Sequence, residues 1–144
     1  NIRALVKRPT LSSRPENGLI LSVPLLSSDL KIHMNGKKVF SEAVKKMTFM
    51  LEKCCIQEKI HIHDLDLIVP HQANQRIIDA IQKRIDIPSS KVFSNIKNYG
   101  NTSSNTIPIA LSEAMPQLKK GDTVGLCAFG GGFTFSAGIL EIFN

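Results

Sequence analysis

The segment VPHQANQRI, residues 69–77, sets a histidine and two amides directly after a short apolar run, Leu67-Ile68-Val69, and directly before an amphipathic stretch. Two more groups able to do chemistry follow it. Asn101 lies in NYGNTSSN, and Gly130, Gly131 and Gly132 separate two apolar runs. Taken singly, each has a structural explanation. A histidine at a strand end can simply pack, an Asn after Tyr-Gly is a turn residue able to take positive φ, and a glycine run can be a bulge or a close backbone contact. Together they form an anion-stabilising set. A neutral His71 imidazole and the Asn101 amide are both hydrogen-bond donors, able to aim at one carbonyl oxygen as it becomes an enolate. Backbone N–H groups of the glycine run could hold a second oxyanion at a tetrahedral carbon. A helix N-terminus just after His71 would help keep the imidazole neutral. Such a set suits the decarboxylation of a β-carboxy thioester and the joining of the resulting carbanion to an acyl group.

These residues need a sheet to bring them together. From Val39 the pattern is helical, with Phe40, Ala43, Val44, Met47, Met50, Leu51 and Cys54 recurring at steps of three and four. DLDLIVP, residues 64–70, reads as a strand, and a second helix follows with Ile77, Ile78, Ile81 and Ile85 on one side. KVFSNIKN is a further strand candidate, and NYGNTSSN is a loop. A third helix is expected from about Ser104 to Met115, with Pro108 in its first turn. DTVGLCAF and FTFSAGILEIF are two last strands that could pair as an antiparallel hairpin. The order α-β-α-β-α-β-β, with strands apolar on nearly every residue, indicates an α/β fold whose sheet is covered on both faces. In such sheets ligands bind beyond the carboxyl ends of strands, where His71, Asn101 and the glycine run would converge. Residues 1–18 read as irregular, GLILSVPLL from Gly18 as a strand, and SSDLKIHMNG as a loop.

The 144 residues suffice for one ordinary domain, and 42% hydrophobic with 21% charged residues is a globular composition. No apolar run approaches the ~20 residues of a membrane helix, and the basic N-terminus lacks a signal peptide's apolar core. The expected location is the cytoplasm or an organelle interior, with no membrane partner. The net charge of +6 suits an acidic partner or a phosphate-bearing substrate. Nucleic acid fits less well, because there is no Trp, only one Tyr, and no interleaving of bases with aromatics. Three cysteines in no CxxC or zinc-like spacing argue for reduced thiols and no metal site.

VPHQANQRI, NYGNTSSNTIPIALSEA and CAFGGGFTFSAGIL, in this order, resemble the β-ketoacyl-acyl carrier protein synthase III family of the thiolase-like superfamily. MNGKKVFSEAV looks like the helix start that precedes them there. The resemblance covers roughly residues 19–143. It implies the C-terminal half of a thiolase-like fold, five layers α-β-α-β-α when complete. It also implies a condensing enzyme that starts fatty-acid synthesis from acyl-CoA and malonyl-carrier protein, with no bound cofactor. On that resemblance His71 and Asn101 match the histidine and asparagine of a Cys-His-Asn triad, and both would stabilise the enolate. Gly131 matches the glycine whose N–H joins the acyl oxyanion hole. Asn74 falls near the pantetheine arm, Phe40 at the acyl pocket, and Arg76 where the acidic acyl carrier protein docks. Lys37 stands where the family often has a polar amide, so cofactor contacts there would differ. The family also implies a homodimer.

The family's nucleophilic cysteine belongs to its N-terminal half, and Cys54, Cys55 and Cys127 do not match it. Cys54 and Cys55 lie late in a helix, where the dipole would raise a thiol pKa, and core packing is expected for Cys54 and Cys127. Residues 1–30 are therefore expected to be a linker and the end of a preceding half, and 31–144 the condensing-enzyme domain. Alone, the chain should form no acyl-enzyme. Other readings remain on the same scaffold: an acyltransferase to amines or alcohols, a polyketide- or quinolone-type condensing enzyme, or a non-catalytic subunit paired with a Cys-bearing partner. Arg76 and Lys83, seven apart, would form a positive rim that steers a carrier protein. Arg76→Glu in the complete enzyme should weaken use of carrier-protein substrate far more than use of a small thioester, measured as kcat/KM for each. Equal loss on both would mean a folding defect instead.

Overall fold

The computed structural model describes residues 4–23 and 31–143. In chain order the strands and helices begin with β1 (Ala4–Val6), β2 (Thr10–Ser13), β3 (Leu21–Ser22) and β4 (His33–Met34). They continue with α1 (Gly36–Gln57), β5 (Leu67–Pro70), α2 (Gln75–Ile85), α3 (Ile96–Tyr99), α4 (Thr106–Ala114), β6 (Thr123–Gly130) and β7 (Thr134–Ile142).

The parallel pairing of β5 with β6 is the centre of the sheet, with Leu67 opposite Val124 and Pro70 opposite Cys127. β7 runs antiparallel to β6 from Thr123–Glu141 to Gly130–Thr134, the hairpin that the sequence suggested. Alternation along the strands serves two cores. Ile68, Cys127, Phe135, Ala137 and Ile139 pack with the α1 stripe and with Ile77 and Ile81 of α2. Leu67, Val69, Val124, Leu140 and Ile142 face the other way, with Ala110 and Ala114 of α4. Both faces are covered, as the near-continuous apolar strands require. Helix α1 starts three residues before the stripe does, because the Asn35 side chain accepts from the Lys38 N–H and caps it. Pro108 sits third in α4, where its missing N–H costs no helical bond. Among the described residues no helix is long and apolar enough to cross a membrane.

Three elements differ from the expectation. First, residues 4–13 are not irregular. β1 and β2 both pair antiparallel with β7, on the edge away from β6. The buried Thr10 hydroxyl donates to Gln57 Oε1 at 2.5 Å, and Lys7 pairs with Glu141 at 2.7 Å. TLSS has no strand pattern of its own, and its partner lies more than a hundred residues away. Second, GLILSVPLL is not one strand. A 3-10 helix spans Pro15–Ile20, and only Leu21–Ser22 pairs, with His33–Met34 inside the supposed loop. Its last part, like residues 27–30, lies outside the described residues. Third, KVFSNIKN forms no strand.

Gln72 accounts for the third difference. Val92 makes one parallel bridge to Ile68, and the Phe93 N–H donates to the Ile68 carbonyl at 2.9 Å. The ladder then gives way to a side chain. Gln72, 1% exposed, donates from Nε2 to the carbonyls of Pro70 (2.7 Å) and Phe93 (3.3 Å), and its Oε1 accepts the Asn95 N–H at 3.2 Å. An amide that satisfies these groups removes the need for a continuing strand, and the chain turns into α3. Asn101 consequently follows a short helix rather than a strand. Gln72→Leu keeps the volume and orphans these buried groups. It should destabilise the protein by about 2–4 kcal/mol, read as a lower urea midpoint at unchanged slope. An unchanged midpoint would show that the amide has no such bridging role.

Candidate active site

His71 is placed by the sheet itself. Its N–H donates to the Cys127 carbonyl at 2.8 Å, one residue beyond the last β5–β6 pair, and its own carbonyl accepts the Ala73 N–H at 2.9 Å. The ring is half-buried, edge-on to Phe129 with 5.5 Å between centroids, and its Nδ1 lies 2.5 Å from Thr106 Oγ1. Nε2 is thus the nitrogen left for a ligand. Burial holds the imidazole below the ordinary histidine pKa of about 6.5, so the ring is neutral at physiological pH. The cause is desolvation of the ring by burial.

Asn101 sits in the loop between α3 and α4. Gly100 takes φ 66°, ψ −158°, a conformation essentially restricted to glycine, and the chain reverses there. The Asn101 Oδ1 then accepts the Ser103 N–H at 2.9 Å, which leaves its NH2 group as the donor for a ligand. Helix α3, which leads into the loop, is tied at both its ends to Glu113 of α4. One carboxylate oxygen accepts from the buried Asn95 amide at 3.0 Å, and the other accepts from the Tyr99 hydroxyl. Gly130 ends β6, and a short turn through Gly131 and Gly132 leads into β7, with Gly132 at φ 68°.

His71, Asn101 and Gly131 line one cleft of about 1910 Å³, together with Asn74, Arg76, Phe40 and Lys37. All six residues singled out for the site, and Lys37, therefore share one cavity. Asn74 also has a structural task, because its Oδ1 accepts the Arg76 N–H at 2.9 Å and caps α2. The Arg76 guanidinium lies 5.7 Å from the centre of the half-buried Phe40 ring, which holds the charge at the cleft wall. Lys83 is exposed two turns further along α2 and does not line the cleft. Two residues carry more than the sequence reading gave them. Gln72 stood in the quoted motif without a role, and Thr106 was not singled out. A polar residue right after an apolar strand was a visible signal for the first. A threonine 35 positions from the histidine it touches gave none.

The cysteines do not contribute a nucleophile. Cys54, Cys55 and Cys127 are all buried free thiols. Burial pushes Cys54 upward and both Cys55 and Cys127 up to about 12. At neutral pH none is a thiolate. The cleft thus offers neutral hydrogen-bond donors and a basic rim, and the groups it holds could polarise a carbonyl oxygen rather than attack a carbon.

Residues 55–142 match the family profile described as 3-Oxoacyl-[acyl-carrier-protein (ACP)] synthase III C terminal. A beta-ketoacyl-[acyl-carrier-protein] synthase III of Clostridium perfringens is 45% identical over 117 residues, covering 80% of this chain and 36% of that protein. One from Acaryochloris marina is 45% identical over 112 residues, covering 76% and 34%. The crystal structure of the 3-oxoacyl-[acyl-carrier-protein] synthase III of Aquifex aeolicus superposes with a TM-score of 0.89 at 33% identity, over 97% of this chain and 45% of that one. That of Pseudomonas aeruginosa gives 0.90 at 31%, over 96% and 46%. The chain spans about a third of the length of the curated relatives it matches. The mixed α/β sheet seen here is the thiolase-like sheet of those structures, and the chain belongs to the 3-oxoacyl-[acyl-carrier-protein] synthase III family, whose C-terminal part it carries.

Proposed function

We propose that this chain provides the decarboxylating side of a β-ketoacyl-acyl carrier protein synthase III, which condenses an acyl group with malonyl-carrier protein. The observation that carries the reading is the position of His71. Its backbone is locked to β6, its Nδ1 is occupied, burial disfavours a charged ring, and it shares one cleft with Asn101. In the proposed reaction the malonyl thioester oxygen accepts from His71 Nε2–H and from the Asn101 NH2. The bond to the terminal carboxylate breaks, CO2 leaves, and the electron pair becomes an enolate whose charge the two donors stabilise. The carbanion attacks the carbonyl carbon of an acyl group held as a thioester on a cysteine, outside this chain, in the region the longer relatives share. The Gly131 N–H helps hold the tetrahedral oxyanion, and the cysteine thiolate departs as the β-ketoacyl product forms.

Substrates and partners follow from the same reading. Acyl-CoA donates the acyl group, and Asn74 and Lys37 lie where its pantetheine arm would run. Phe40 walls the acyl pocket, and Arg76 meets the acidic carrier protein. No bound cofactor is needed, since polarised carbonyls and a leaving CO2 supply the chemistry. Residues 31–144 act as the C-terminal condensing-enzyme domain, and the strands within residues 4–13, rather than forming a linker or the end of a preceding half, extend its sheet along β7. The working enzyme is a homodimer in the cytoplasm or an organelle interior.

His71→Ala and Asn101→Ala, each in the complete enzyme, test this directly. Each should slow decarboxylation of a malonyl thioester about a hundredfold to a thousandfold. Transfer of the acyl group from acyl-CoA to the enzyme should continue near its normal rate. Loss of the acyl-transfer step with decarboxylation intact would assign these residues to the wrong half of the reaction.

A further inference from the structure

The hydrogen bond between Thr106 and His71 has a direction that the burial of Thr106 decides. Thr106 is 2% exposed, and its Oγ1 has no hydrogen-bond partner among the described residues other than His71 Nδ1. Two arrangements are open to that contact. If the ring carried its proton on Nδ1, it would donate to Oγ1, and the hydroxyl proton would be buried with no acceptor. If the hydroxyl donates to Nδ1, its proton is satisfied and the ring proton must sit on Nε2. A buried donor left unpaired costs about 1–3 kcal/mol, enough to favour the second arrangement. Among the described residues no carboxylate bonds to His71 to favour an imidazolium. Thr106 is also the first residue of α4, whose positive end disfavours a charged ring.

We propose that Thr106 is a positioning residue that fixes the tautomer of His71, donating its hydroxyl proton to Nδ1 so that Nε2–H is the donor presented to the substrate oxygen. The proposal rests on the donor role given to His71 above. A histidine's second nitrogen sets which proton the first can offer. Here a neutral hydroxyl performs that task and adds no negative charge that would draw a second proton onto the ring. Helix α4 gains a function thereby: its start supplies the tether for a side chain that follows the end of β5.

The complete enzyme with 15N-labelled histidine gives a test that requires no variant. Long-range proton–nitrogen correlations should show His71 protonated on Nε2 alone at neutral pH. Protonation on Nδ1, or on both nitrogens, would overturn the proposal. Thr106→Val replaces the hydroxyl with a methyl of similar size. It should lower kcat for malonyl-thioester decarboxylation about tenfold to a hundredfold, the scale on which partners that orient a metal-bound histidine act. KM should stay within about twofold, and the His71 signal should shift to a mixture of tautomers. Thr106→Ser should restore the Nε2–H signature and most of the rate. An unchanged rate in Thr106→Val alongside a large loss in His71→Ala would overturn this inference and leave the functional reading standing. No loss in His71→Ala would overturn the functional reading, while the spectrum would still report the tautomer.

Discussion

The hydrogen bond from the His71 N–H to the Cys127 carbonyl, at 2.8 Å, carries the register of β5 on β6 one residue past the strand end. The rest of the site depends on that register. A slip of one residue would turn Ile68 out of the core it shares with α1 and α2, and would carry Leu67 and Val69 off the α4 face. The apolar strands thus specify, through packing, where a polar ring ends up. Gln72 then closes the strand end by taking the carbonyls of Pro70 and Phe93. The chain is free to enter α3 and return through Gly100 to Asn101. One parallel strand pair and one buried amide therefore bring together residues thirty positions apart in sequence.

Burial sets the electrostatic character of this cleft. It lowers the His71 pKa and raises those of all three thiols, in each case by disfavouring the charged form. In the cleft itself His71 is thus a neutral donor, and Arg76, which also lines it, lies over Phe40. Preorganised neutral donors suit a reaction in which negative charge appears on oxygen only in the transition state. The same environment makes Cys127 unsuitable as a nucleophile, although it lies directly under the His71 backbone.

Much of this was legible in the sequence wherever one element's own residues carried its pattern. The isoleucines of α2 and the stripe of α1 lie on buried faces as their spacing required. The β6–β7 hairpin followed from two apolar runs broken by glycines. The motifs around His71, Asn101 and Gly131 marked three separate loops that the fold gathers into one cleft. The failures share a cause. β1 and β2 are strands only because the free edge of β7 offers partners to their backbone, and TLSS carries no alternation to announce it. Residues 91–98 have strand-like composition, yet a distant glutamine side chain takes the hydrogen bonds that a ladder would have used. Thr106 was invisible for the same reason, since its contact with His71 exists only in three dimensions.

The central claim is that His71 and Asn101 donate to a single thioester oxygen. A crystal structure of the complete enzyme with a malonyl thioester analogue that cannot lose CO2 tests it most directly. The account predicts that the thioester carbonyl oxygen lies within about 3.2 Å of both His71 Nε2 and Asn101 Nδ2, with the carboxylate pointing away from them. An oxygen bound to neither nitrogen, or a carboxylate seated on His71 in its place, would contradict it.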